Sequence, residues 1–295
     1  INRRQRQMCI RDSNKSDYSL IPYRGEQSIS ALLESFIQDD WKPKYEGDNI
    51  IALSKENASI TLEPGGQFEL SGAPLFTIHE TCREINNHLQ FVKSIEEKMN
   101  IGFLGIGFLP IEKLDVVPHV PKKRYSEIMR PYMKKLGGLG LDMMHRSCTV
   151  QANFDYISEL DMKKKIMVSA ALQPIVTGLF ANSPFLEGQL NGFQSYRGYV
   201  WTKTDDDRTG ILRSMVGENF SFEEYVDYAL KVPVYSIIRN GNYINCLDYN
   251  FEDLMNNKFH EIKAEEITLD DWTDHLSTIF TEVRLKTYIE MRGAD

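Results

Sequence analysis

No run of the 295 residues is apolar over the length a helix needs to cross a bilayer, so no membrane partner is expected. Basic residues are the minority, with 34 Lys and Arg against 42 Asp and Glu, a formal charge of −8. That balance lacks the basic footprint of nonspecific nucleic-acid binding, and no nucleic-acid partner is expected; a local basic pocket for phosphates stays open. Cysteine is scarce: Cys9, Cys82, Cys148 and Cys246 stand alone, without CxxC spacing. That pattern supports neither a zinc site nor a secreted disulfide framework, so reduced thiols in a cytosol-like compartment are expected. Internal repeats and low-complexity linkers are missing. The glycine-rich run from Gly102 to Phe108 lacks the order of a dinucleotide-binding loop and the helix start that follows one.

What is present suffices for a large core, with ordinary apolar and charged fractions of 42% and 26%. Residues 1–13, INRRQRQMCIRDS, are basic and without periodicity. They resemble translated sequencing-adapter runs, and they are read as a non-native or disordered leader outside the fold. Ser28 begins a helix with Ile29, Leu32, Leu33 and Phe36 at helical spacing, and a longer helix runs from Thr77 to Asn100. His79 and His88 fall within the longer one, without the spacing of a two-histidine metal face. Further helices are expected over 126–136, 158–180 (kinked by Pro174), 220–230 and 272–280. Asn240-Gly241 marks a hairpin. Residues 182–201 read as a long glycine-bearing loop.

The most informative stretch is LEPGGQFELSGAPL, Leu62 to Leu75. Apolar and polar residues alternate on both sides of Pro64-Gly65-Gly66, which reads as two short strand segments with converging polar faces. Glu63, Gln67 and Glu69 would then share one site, suited to a hard cation such as Mg²⁺; a hairpin with solvated carboxylates fits the spacing equally well. The segment 144–156 contains a two-faced strand, in which Thr149, Gln151, Asn153 and Asp155 alternate with Val150, Ala152 and Phe154. Residues 286–292 alternate in the same way around Glu290 and Arg292. Together these patterns predict one α+β domain over 14–295 with a mostly antiparallel sheet.

The 62–75 run, with GFLGIGF at 102–108, GLDMM at 140–144, LQPI at 172–175, FANSPF at 180–185, DDRTG at 206–210, VRLK at 283–286 and EMRGAD at 290–295, closely resembles the plant-type glutamate–cysteine ligase family, which also occurs in bacteria. The resemblance extends from about Gly47 to the last residue. It implies a glutamine-synthetase-like cupped sheet with helices on its outer face, and ATP-dependent joining of the glutamate γ-carboxyl to the cysteine amine. ATP and Mg²⁺ are the implied cofactors, and glutamate, cysteine and ATP the implied small-molecule partners of a monomer or homodimer. A plastid location is possible if the source is a plant. By residue, the resemblance implies Glu63, Glu69 and Glu290 at Mg²⁺, and Arg124 and Arg197 on the glutamate carboxylates. It implies Arg208, Arg284 and Arg292 on phosphate, with Arg124, Arg197 and Arg292 in the catalytic set. Arg146 suits either substrate, Gln151 and Asn153 would orient it, and Trp201 would wall the pocket. An arginine fork suits a carboxylate better than a lysine point charge does. The chain departs from the pattern where the family opens with an acidic Gly-x-Glu-x-Glu-Lys-Phe strand, since nothing like it precedes Tyr18. The chain as written is therefore expected to be an incomplete and inactive ligase. A non-catalytic binder of glutamate or nucleotide, or a ligase for another amine, are the competing expectations. Cys82 and Cys246 match family positions, but 256–266 holds no cysteine to pair with Cys246.

Overall fold

The computed structural model describes residues 4–15 and 17–295. The main sheet has nine strands among the described residues. They are β1 (Arg4–Asn14), β2 (Lys42–Glu46), β3 (Asn49–Lys55), β4 (Ala58–Leu62), β5 (Phe68–Ser71), β6 (Ile101–Leu104), β7 (Val150–Phe154), β14 (Val283–Leu285) and β15 (Ile289–Ala294). Three small ladders pair β8 (Phe185–Leu186) with β9 (Gln189–Leu190), β10 (Thr209–Gly210) with β13 (Phe280–Thr281), and β11 (Ser236–Arg239) with β12 (Asn242–Asn245). Across the main sheet the order is β14-β15-β7-β1-β5-β4-β3-β2, with β6 beside the end of β1. Every pairing in it is antiparallel. Together with the helices this is an α+β fold.

The two faces of the sheet differ because side chains alternate along each strand. On one face Ile10, Ile60, Leu62, Phe68 and Leu70 pack with Leu32, Leu33 and Phe36 of α1 (Ile29–Phe36) and Val92 and Ile95 of α2 (Ile78–Met99). Burying one such side chain fully contributes about 1.5–3 kcal/mol. Farther along, Met162, Ile166 and Ala170 of α5 (Glu159–Leu179) pack with Val283, Leu285 and Ile289. The opposite face carries Gln7, Cys9, Glu69, Gln151 and Arg292. Over it stand α3 (Arg130–Leu136), α4 (Gly140–Arg146) and α6 (Tyr196–Trp201), which share a core of Met133, Met143, Met144, Val200 and Trp201.

The caps explain where the expected helices start. Ser28 accepts from the Ala31 amide, Thr77 forms a capping box with Glu80, and Asn100 ends α2 in the left-handed region. Ser158, Ser221 and Thr268 likewise cap α5, α7 (Phe222–Lys231) and α9 (Leu269–Leu276). Asn240 and Gly241 both take positive φ, as a tight hairpin requires. No helix among the described residues is long and apolar enough to cross a membrane.

Two expectations differ from the structure. The leader, set outside the fold by its composition, supplies β1: Arg4–Asn14 pair with β5, β6 and β7, while residues 1–3 lie outside the described residues. Backbone ladder bonds do not depend on side-chain periodicity, so a segment without a pattern can still complete a sheet. The short helix α6 occupies part of the stretch read as a loop, and α8 (Phe251–Met255) lies in a stretch given no reading; one or two turns leave too little periodicity to detect.

Candidate active site

The break at Pro64-Gly65-Gly66 is a tight turn joining β4 to β5. The Glu63 amide donates to the Gln67 carbonyl and the Gly66 amide to the Glu63 carbonyl, each at 2.9 Å. Gly65 is obligatory, since a Cβ there would collide with the His145 carbonyl oxygen. Gln67 is not available to a ligand. Its Oε1 accepts from the Gly65 amide (2.8 Å), and its Nε2 donates to the carbonyls of Met144 (3.1 Å) and Ser147 (2.9 Å), fixing the turn to α4. The Leu62 carbonyl accepts from Lys122 Nζ (2.7 Å) and Tyr125 Oη (3.2 Å). These bonds hold the strand end that presents Glu63.

Glu63 and Glu69 form one side of a cavity of about 220 Å³. Arg124, Arg197, Arg284 and Arg292 also line it, with Gln7, Cys9, Tyr125, Gln151, Trp201 and Ser277 among the residues between. Arg197 is buried; its Nη2 donates to the Arg292 carbonyl (3.0 Å), its Nε has no partner among the described residues, and its guanidinium lies 5.6 Å from the Trp201 ring. Burial lowers its pKa. A buried donor without an acceptor is costly, and a ligand carboxylate would relieve it. Arg124 Nη2 donates to Ser277 Oγ (3.0 Å), and Arg284 Nη1 to the Ile279 carbonyl (3.1 Å).

Glu69 is held up to about pH 8 by burial first, then by the charges of Glu63 and Glu290, with Arg292 opposing. Its side-chain donor, Ser71 Oγ, is distant at 3.3 Å. A carboxyl whose folded pKa is raised contributes stability that is full below its ordinary value and is lost as pH rises through about 8. Glu69→Gln should therefore match the parent in acid and exceed it in stability on the alkaline side. Urea unfolding at the two extremes checks this; a variant weaker than the parent at alkaline pH would mean the carboxylate is well compensated.

Not every expected residue reaches the cavity. Glu290 lies beneath it, fully buried: Oε1 stands 2.6 Å from Arg284 Nη2 and from Arg292 Nη1, and Oε2 3.2 Å from Lys286 Nζ. Burial opposes its charge, but the three cations win and hold its carboxyl down to about 2. The carboxylate expected at a metal is here the anchor of two cavity arginines. Arg208, expected at phosphate, is 0% exposed and saturated. It bonds Asp205 (2.7 Å), Thr278 and the Pro233 carbonyl, and it stacks 4.0 Å from the Tyr235 ring. Arg146 pairs with Asp142 (2.9 Å) beside Phe108, and Asn153 Nδ2 donates to Gln5 (3.0 Å); neither lines the cavity. Lys122, Tyr125 and Ser277 were passed over. Lys122 and Tyr125 flank the expected Arg124 in sequence, but only the folded chain shows that they reach the Leu62 carbonyl. Among the described residues no three His, Cys, Asp or Glu side chains gather as a metal cluster.

The site is thus an arginine-rich cavity with two carboxylates, over the polar face of an antiparallel sheet in an α+β fold. Residues 12–295 match the profile of Glutamate-cysteine ligase family 2, and the chain belongs to that family. It is 55% identical over 278 residues to the chloroplastic glutamate–cysteine ligase of Nicotiana tabacum, covering 94% of this chain and 53% of the relative. It is 53% identical over 278 residues to the chloroplastic enzyme of Arabidopsis thaliana, again 94% of this chain and 53% of the relative. Against glutamate–cysteine ligase B of Oryza sativa subsp. japonica, also chloroplastic, it is 55% identical over 267 residues, 90% of this chain and 53% of the relative. The chain thus spans about half the length of the curated relatives it matches. The family match begins at residue 12, so most of β1, including Gln7 and Cys9 at the cavity, lies outside it. The names of these relatives give no support to the cytosol-like compartment read from the scattered thiols.

Proposed function

We propose that this chain carries the substrate-binding sheet of a glutamate–cysteine ligase, of glutamine-synthetase-like cupped form, acting on glutamate, cysteine and ATP in glutathione synthesis. The observation that carries the reading is the convergence of Glu63, Glu69, Arg124, Arg197, Arg284 and Arg292, from motifs far apart in sequence, on one cavity. A plastid location, named for the relatives, belongs to the same proposal.

A carboxylate and an amine do not condense directly in water, because oxide is a poor leaving group. A γ-carboxylate oxygen attacks the γ-phosphorus of ATP and ADP departs; the amine nitrogen then attacks the acyl carbon, and phosphate leaves with the carbon–oxygen bond pair. The first step brings two anions together, and fixed positive charge must offset their repulsion. Arg197 and Arg124 would hold the glutamate carboxylates. Arg284 and Arg292, oriented by Glu290, would face the phosphates. Arg208 has its partners already and Arg146 stands outside the cavity lining, so neither is given a contact with substrate. Asn153, packed on Gln5, has none either. Trp201 would exclude water from the acyl phosphate.

The donor chemistry fits Mg²⁺. Glu63 and Glu69 are hard oxygen donors, the raised pKa of Glu69 marks unneutralised negative charge, and Mg²⁺ is commonly held by one or two carboxylates with phosphate oxygens and water. Glu63 and Glu69 would hold it, and Glu290 could join only by giving up a cation. When bound, the ion would neutralise phosphate charge.

β1 presents Gln7 and Cys9 to the cavity rather than carboxylates, which favours binding without turnover for the chain as it stands. Calorimetric titration with glutamate and with a nonhydrolysable ATP analogue, with and without Mg²⁺, should give saturable binding of both. The nucleotide should depend on Mg²⁺, and no γ-glutamyl product should form. Absence of glutamate binding would overturn the assignment; product formed with cysteine would overturn the claim of inactivity, and product formed only with another amine would change the substrate.

A further inference from the structure

A second cavity, of about 420 Å³, lies on the opposite side of the sheet, between α1, α2 and the β3–β4 turn. It is independent of the ligase reading. Its apolar lining is Phe36, Trp41, Leu70 and Phe91, and the Phe36 ring lies 4.7 Å from Phe91 and 6.1 Å from Trp41. α2 turns Glu80, Glu84, His88 and Phe91 toward it, at the spacing of one helical face.

Two buried polar atoms on that face lack partners. His88 is 8% exposed, stacked on Phe68, and its Nε2 has no hydrogen bond among the described residues. Burial pushes its pKa down to about 4, so the ring is neutral near pH 7 and one nitrogen accepts. Glu84, one turn earlier, accepts from the Ala73 amide through Oε1 (2.7 Å), while its buried Oε2 has no partner. Buried polar atoms are rarely left unsatisfied without a reason. Four carboxylates, Asp39, Glu56, Glu80 and Glu84, line the cavity against two cations, Lys55 and Arg83. Lys55 is held by Asp39 at 3.0 Å. Aromatic walls, two unpartnered polar atoms and an acidic excess complement a flat ring bearing a positively charged N–H donor, to which aromatic faces add cation–π attraction.

We propose that this cavity binds a small arylalkylammonium compound, its ring among Phe36, Trp41 and Phe91 and its N–H groups on Glu84 Oε2 and His88 Nε2. The probe is 2-phenylethylamine, titrated into the whole chain while the Trp41 indole and His88 ring resonances are followed. Saturable shifts at both are expected. 3-Phenylpropionate, the same ring with an anionic end, should bind at least about tenfold more weakly, the loss of a charge-assisted bond. Glu84→Gln keeps an oxygen for the Ala73 amide, so the fold should survive, and it should weaken the amine about tenfold. No saturable shift, equal binding of the anion, unchanged affinity in Glu84→Gln, or shifts at Trp201 in place of Trp41 would each overturn the assignment.

Discussion

Replacing Arg197 by alanine should weaken glutamate binding by about 2–3 kcal/mol, roughly 30- to 150-fold, while the nucleotide loses far less. Arg197 is buried, it spends Nη2 on the Arg292 carbonyl, and its Nε is left without a partner at the cavity wall. A carboxylate arriving there gains a charge-assisted bond in a place from which water is largely excluded, which is where such bonds are strongest. Arg197→Lys should recover little, because a point charge on a flexible stem cannot reproduce the planar fork. Arg124→Ala should cost less, since that side chain is only partly buried and already donates to Ser277. Parallel titrations of glutamate and the ATP analogue decide the matter. Equal losses for both ligands would point to a disturbed fold or to a phosphate role for Arg197.

The largest stability effect is expected at Glu290. Glu290→Gln should cost about 3–5 kcal/mol, because it leaves Arg284, Arg292 and Lys286 as buried or half-buried cations without their shared anion. The pH dependence has a definite sign. With its folded pKa lowered to about 2 from an ordinary 4.5, Glu290 contributes stability that is complete above the ordinary value and lost as pH falls through about 2. The parent should therefore lose stability across that acid window, and the Gln variant should lose less. This is opposite in sign to the behaviour expected of Glu69, whose contribution fades as pH rises. Urea unfolding of parent and variant across the acid range tests it; a variant as stable as the parent at neutral pH would show that the three cations find other partners or solvent.

The local code of this chain was legible in its sequence. Thr77 and Asn100 bound α2, Ser28 starts α1, Asn240-Gly241 turns a hairpin, and the alternation around Glu69, Gln151 and Arg292 marks the polar face of a sheet. These are short-range effects, in which a cap or a two-residue period acts within one element. The candidate cavity was legible in part, because Glu63, Glu69, Arg124, Arg197, Arg284 and Arg292 sit in runs that resemble one family. What a charged side chain faces was not legible. Arg208 and Arg284 look alike in sequence, yet Asp205, Thr278 and the Pro233 carbonyl saturate one, while the other reaches the cavity. Half-buried Glu69 and fully buried Glu290 lie on the same sheet face, but three cations surround Glu290, while desolvation and like charges dominate at Glu69. The strand made by Arg4–Asn14 shows the same limit, because its pairing depends on the open edges of β5 and β7 rather than on its own pattern. Sequence determined which groups could ionise, cap or turn. Only the tertiary structure decided which charges are paired, because a charge's partner is near in sequence in one case, as Asp205 is for Arg208, and far in another, as Ser277 is for Arg124.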